Sequence, residues 1–210
     1  MAKTRKKIVK EVKNGALYDD GTILIRNVRF SYPHLDKPYA GKKPDGTPMG
    51  EPAYSLTGLA PKATHKDVML LCRDEVRRLL TENKLKDIGA DKKFIRDGDL
   101  SGKETDAGNW TISAREKTPP ILRDEDNRNV ERADAGRKFY GGCYGDMLIR
   151  PWFQSNQWGK RVNANLLAVK FGKDGEPFGE GRITEDDVDE VFGGVADDDD
   201  GYDDDEDEAL

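Results

Sequence analysis

The feature that most limits what this chain can fold into is a phase slip near its start. In the stretch TILIRNVRFSYP, Ile23 and Ile25 alternate on one face, and Val28, Phe30 and Tyr32 continue in the opposite phase. Side chains change face at every residue of a strand. One extra residue near Arg26-Asn27 therefore swaps the faces, as a β-bulge does. A bulge also bends its strand and deepens the twist, and a strongly bent first strand suits a small closed barrel.

The rest of the pattern supplies the other walls of such a barrel. AYSLTGL (53–59), WTISARE (110–116), CYGDMLIRPWF (143–153) and RVNANLLAVKF (161–171) read as further strands. In the third, Trp110, Ile112 and Ala114 share the core face, with Thr111, Ser113 and Arg115 opposite. One helix is expected from Thr64 to about Lys86, with Thr64 and Asp67 at capping-box spacing and Gly89 as its stop. Val68, Cys72, Val76, Leu79 and Leu80 form its apolar stripe. Residues 33–52 hold five of the ten prolines and read as a long loop, as do 90–108 and 117–138. The expected fold is mainly β with one main helix: a five-stranded Greek-key barrel of the OB type with long loops. A generic α+β sheet would show much the same periodicity.

Charge divides the chain. Of its 41 acidic residues, 15 fall between Glu185 and Leu210, where no basic residue occurs. The remaining body carries all 35 Lys and Arg and a net charge of +9. We expect a flexible basic arm over 1–16, a barrel domain over 17–183 and an acidic tail over 184–210. A short helix over 184–192 would open that tail. Self-repulsion and lack of apolar area would keep the rest disordered. A basic body calls for a polyanionic partner. No apolar run approaches the ~20 residues of a membrane span, and the basic N-terminus lacks the apolar stretch of a signal peptide. Cys72 and Cys143, without a CxxC, read as reduced thiols.

The stretch from Arg137 to Arg161 combines cations with aromatic rings, as single-stranded nucleic acid sites do. Arg150 and Trp152 share one face of their strand, while Met147, Ile149 and Phe153 share the core face. The expected DNA contacts are Arg150, Trp152, Trp158, Lys160 and Arg161, flanked by Tyr140, Lys138 and Arg137, with Arg115 on the third strand. The alternative is a solvated basic face with Trp152 packed beneath a loop. No catalytic or metal motif is present: His34 and His65 lie far apart, and Asp97-Gly-Asp99-Leu-Ser101 has Gly108 where a calcium loop needs Glu. No enzyme activity, metal or cofactor is expected.

In the tail, Asp203, Asp204, Asp205, Glu206, Asp207 and Glu208 precede an apolar end at Leu210. A tethered polyanion of this kind imitates a nucleic acid strand. It can occupy the body's own cationic groove or be captured by a basic partner.

The segments RNVRFSYPHL, PAYSLTGLAPK and GGCYGDMLIRPWFQSNQWGKRVNANLLAVKFGKDGEPFG, in that order and followed by an acidic tail, resemble a family of phage proteins. These are bacteriophage single-stranded-DNA-binding proteins, the OB-fold kind used in podophage replication, and the likeness covers about residues 20–182. The resemblance implies a barrel that coats unpaired DNA without sequence preference in the cytoplasm of the infected host. It also implies a tail that contacts phage DNA polymerase and helicase–primase. Such tails often end in Phe where this one ends in Leu210, and some relatives form homodimers. Rival readings are a recombination mediator or annealing protein acting with a partner recombinase, and an acidic-tail DNA mimic.

Overall fold

The computed structural model describes residues 6–157 and 159–179. The strands are β1 (Ile8–Val12), β2 (Gly15–Tyr18), β3 (Ile23–Tyr39), β4 (Ala53–Pro61), β5 (Ile95–Asp97), β6 (Asn109–Glu116), β7 (Ile121–Arg123), β8 (Tyr144–Asn156) and β9 (Gly159–Lys173). The α-helices are α1 (Lys66–Glu82) and α2 (Ala135–Lys138). The five long strands lie in the order β6-β4-β3-β8-β9. The sheet curls until the segment 93–95 bridges its two ends. The Phe94 amide donates to the Val162 carbonyl of β9, and the Phe94 carbonyl accepts from Ser113 of β6. This is the OB barrel, with α1 between its second and third strands.

The phase slip is a bulge, as the alternation requires. β3 pairs with β8 from Ile23 to Ile25 and again from Val28, with the register shifted between them. Asn27 takes φ 54°, a conformation Asn tolerates better than most residues. Two long-range contacts hold the bulge. The Asn27 amide donates to the Asp146 carboxylate at 3.0 Å, and His65 Nε2–H donates to the Arg26 carbonyl at 2.9 Å. Ile23, Ile25, Val28 and Phe30 are all fully buried despite the change of phase. Gly58 of β4 is required opposite this bend, since a Cβ there would lie 2.6 Å from the Met147 sulfur.

The helix stripe faces the core as expected, with Val68, Cys72, Val76, Leu79 and Leu80 buried. The ends of α1 differ from expectation. The Thr64 hydroxyl does not cap it but pairs with His65 Nδ1 at 2.8 Å. The stop is not Gly89 but Lys84, whose φ of 57° turns the chain. The Leu85 amide then bonds back to the Leu80 carbonyl and the Lys84 amide to Thr81. This is a Schellman closure, with Leu85 returning to the core.

Most of the described part of the stretch expected as a flexible arm over 1–16 is strand, since β1 and the start of β2 fall within it, while residues 1–5 lie outside the described residues. β1 and β2 form a hairpin whose second strand pairs with β3. The expected loops also carry structure. β3 continues to Tyr39, β5 pairs with β6, and β7 runs parallel to β9. α2 brings Phe139 between Phe30 and Phe171, at 6.4 and 6.2 Å between ring centroids, and so fills one end of the barrel. Burial pushes the Cys72 thiol up to about 12 and the Cys143 thiol up to about 11, so both stay protonated and inert. No helix among the described residues is long and apolar enough to cross a membrane. The tail expectations for 184–210 lie outside the described residues.

Candidate nucleic-acid interface

The outer face of the barrel carries an open groove across β3, β4, β6, β9 and β8. Pairing aligns its floor. Ser55 sits opposite Arg115 and Thr57 opposite Ser113, while Trp152 sits opposite Asn163 and Gln154 opposite Arg161. Ser55, Thr57, Ser113, Gln154 and Asn163 thus give the floor small and amide side chains between the larger ones. Arg115 lies at the centre, lining all three connected hollows that make up the groove. Its Nη2 donates to the Glu51 carbonyl at 2.9 Å, which aims the guanidinium across the floor.

Aromatic rings stand at both ends. Trp152, on the outward phase of β8, forms one wall. At the other end, His34 and Tyr39 stack at 4.3 Å between centroids, beside Tyr32. Tyr32 takes φ 48°, a conformation costly for a bulky residue. Its ring projects outward with the Lys103 ammonium 4.6 Å from its centre. Exposed Phe, Trp or Tyr side chains among the described residues are Tyr32, Tyr39 and Trp152, at 60%, 47% and 39%. All three line this groove, so rings in contact with water are concentrated where cations also gather.

The cations come from separate parts of the chain. Lys92, Lys93 and Arg96 enter from the segment that closes the barrel, and Arg161 from β9. Asp91 engages Lys92, and Asp87 engages Lys93. Arg96 and Arg161 have no carboxylate within salt-bridge distance among the described residues. On the rim, Lys117 pairs with Glu51 and holds that carboxyl below its ordinary range.

The residues expected to form one cluster over 137–161 divide. Trp152, Arg161 and Arg115 meet in the groove, and Lys160 lies exposed on the adjoining hairpin, opposite Ser155. Arg150 faces outward but is held by Asp20 at 2.8 Å, a carboxylate shared with Lys6. Burial raises the Asp20 pKa, but hydrogen bonds from Thr22, Lys6 and Arg150 outweigh it and hold the carboxyl well below its usual range. Trp158 lies outside the described residues, as do Asp203, Asp204, Asp205, Glu206, Asp207, Glu208 and Leu210.

Arg137, Lys138 and Tyr140 are placed elsewhere, at the barrel end filled by Phe139. From Asn163 to Lys173 β9 runs for roughly 30 Å at ~3.3 Å per residue, and these three residues belong to its far end. Arg137 pairs with Asp134. Lys138 pairs with Glu125 and lies over the Phe171 ring. The Tyr140 hydroxyl donates to Asp174 at 2.9 Å and accepts from the Gly175 amide. Arg29 secures the same segment, its guanidinium 4.1 Å over the Phe178 ring and bonded to the Glu176 carbonyl.

Sequence reasoning missed Tyr32, His34, Tyr39 and Arg96. Alternation puts Tyr32 on the face of Val28 and Phe30, but the register shift after Ser31 and its φ of 48° turn it out to 60% exposure. His34 and Tyr39 were hidden by reading 33–52 as a loop. Trp110, expected in the core, is half-buried against it. Asp97 and Asp99 both hold the Lys62 ammonium, Asp99 at 2.6 Å, and among the described residues no group of three or more His, Cys, Asp or Glu is placed to hold a metal ion.

The family model described as "Enterobacter phage Enc34, ssDNA-binding protein" matches residues 21–205. The structure of the single-stranded DNA-binding protein of bacteriophage Enc34 in complex with ssDNA is 41% identical, with a TM-score of 0.77. That match covers 83% of this chain and 99% of the other. The same phage protein without the complex gives a TM-score of 0.76, covering 88% of this chain and 99% of the other. A curated relative, "Putative protein p50" of Acyrthosiphon pisum secondary endosymbiont phage 1, is 29% identical over 171 residues. That alignment covers 77% of this chain and 88% of the relative. A match over most of the chain, on a barrel whose exposed rings and cations share one groove, places this protein in the Enc34 family of phage single-stranded-DNA-binding proteins.

Proposed function

We propose that the chain binds single-stranded DNA in this groove, without sequence preference and by contact alone. The observation that carries the reading is the gathering of the exposed rings Tyr32, Tyr39 and Trp152 around Arg115. The 41% identical Enc34 protein, whose structure holds ssDNA, supports it. In OB barrels the face of the second and third strands and the adjoining loops hold oligonucleotides. Here these are β4 and β6, the loop at 40–52 and the β8–β9 hairpin. Phosphates would lie along Arg115, Arg161 and Arg96 while bases stack on the rings. Stacking is sequence-tolerant because every base has a π-face, at ~1–3 kcal/mol per base. The polar floor of Ser55, Thr57, Ser113 and Asn163 offers adaptable hydrogen bonds and no fixed base pattern.

The acidic residues of 185–210 compete with DNA for the same cations and recruit basic replication proteins, such as a phage polymerase or helicase–primase. The setting is phage DNA replication or recombination in the cytoplasm of the infected host. The test is binding of single-stranded and duplex DNA over a salt series, with full-length protein and with residues 185–210 removed. Preference for the single strand, with affinity falling as salt rises, is expected. Equal affinity for duplex, or none for either, refutes the reading.

A further inference from the structure

Beside the groove lies a second hollow, between α1 and the β5–β6 pair. Its floor is apolar, built from Met69, Val76 and Leu80 of α1, Ile95 of β5 and Trp110 of β6. Residues 69, 73, 76, 77 and 80 fall on one side of a helix, so α1 supplies both floor and rim. Arg73, Arg77, Lys86 and Arg96 stand around that floor. Arg77 is engaged by Asp74. Arg73, Lys86 and Arg96 have no carboxylate within salt-bridge distance among the described residues. The Arg73 guanidinium carbon lies 5.9 Å from the Trp110 ring centre. Asp87 and Asp97 also line the hollow, and each already holds a lysine, Lys93 and Lys62. Lys93 and Arg96 line this hollow and the groove alike. The two concavities thus share one wall, on which Arg96 is the cation without a carboxylate partner among the described residues.

We propose that the hollow is a second contact surface for single-stranded DNA, which crosses the wall at Lys93 and Arg96. Its phosphates lie along Arg73 and Lys86, and one base packs on the apolar floor at Trp110. The proposal rests on the single-strand reading above and extends its path onto the helix side of the barrel. Acidic peptides would be drawn by the same cations. The shared wall favours DNA, because a strand already held in the groove reaches the hollow as a tethered ligand at high effective concentration.

Oligonucleotide length separates the two surfaces. Oligo(dT) of about 6 nucleotides fits the groove alone, whereas one of about 25 reaches the hollow as well. Replacing Arg73→Gln and Lys86→Gln together should leave the short oligonucleotide's affinity unchanged. With the long one, the slope of log K against log salt should fall in magnitude by about 1.4, at ~0.7 per lost phosphate contact. A second readout uses Trp152→Phe with Trp158→Phe, which leaves Trp110 as the remaining tryptophan of three. Its emission should respond to the long oligonucleotide and not to the short one. A wild-type slope in the Arg73/Lys86 variant, with short-oligonucleotide binding intact, overturns this proposal alone. So does a Trp110 response to a synthetic peptide of residues 203–210 but not to the long oligonucleotide, which would make the hollow an acidic-peptide seat. Failure of both lengths to bind wild-type protein overturns the DNA reading itself.

Discussion

Replacing Trp152→Ala tests whether stacking, and not charge alone, holds the strand. The indole stands on the outward phase of β8 opposite Asn163, while its neighbour Pro151 is buried and Phe153 packs against the core. Its removal therefore strips a platform from the groove and takes little from the interior. Loss of one stacked base costs ~1–3 kcal/mol, which is about 5- to 150-fold in Kd at ~1.4 kcal/mol per tenfold. Stacking releases no counterions, so the plot of log K against log salt should drop without changing slope. Arg161→Gln should do the reverse, reducing the slope by ~0.7 for one lost phosphate contact, with an effect that fades at high salt. Fluorescence anisotropy of labelled oligo(dT) at several salt concentrations reads both quantities. If Trp152→Ala binds as wild type at every salt, the wall it forms is not a base platform. A changed slope in place of a changed intercept would mean that its effect is electrostatic and indirect.

Three further outcomes follow from the structure. His65→Ala leaves the Arg26 carbonyl and the Thr64 hydroxyl without their buried partner and opens a cavity beneath the bulge. It should cost about 2–4 kcal/mol, or roughly 5–15 °C in Tm, and a thermal melt within a degree of wild type would refute the role given to this ring. Asp20 has its folded pKa depressed below the ordinary value of 3.8, so its contribution is present above that value and is lost as pH falls toward the folded one. Asp20→Asn should be less stable than wild type by urea denaturation at about pH 7, with the gap narrowing below about pH 4, and an equal gap at both would contradict the linkage. Deleting residues 185–210 should tighten DNA binding most at low salt, where Coulomb competition is least screened, and unchanged affinity would remove the tail as a competitor.

The elements were legible where the information is local. Alternation marks the inward residues of β3 as far as Phe30 and those of β8, and Ile112 and Ala114 of β6. The swap of phase at Arg26-Asn27 announces the bulge, because both follow from side chains changing face at each residue. The same rule misplaced Tyr32 and Thr111, where a register shift and the β5 pairing intervene. The stripe from Val68 to Leu80 marks α1 for a similar reason. The helix ends were not legible. The Thr64 hydroxyl had a second partner available, the His65 ring, and that ring is oriented by a carbonyl far away in the chain.

What the sequence by itself determined, then, is the inventory: five long strands, one amphipathic helix, a basic body and a Trp152 turned away from the core. What only the tertiary structure decided is which of those residues meet. Tyr140 and Trp152 are close in sequence, yet the length of β8 and β9 carries them to opposite ends of the barrel. Tyr32, Tyr39, Arg96 and Arg115 are far apart in sequence, and strand register together with closure at Phe94 brings them to one groove. Strand pairing between distant segments sets such distances, and it depends on the joint burial of the whole core, which no local window of residues records.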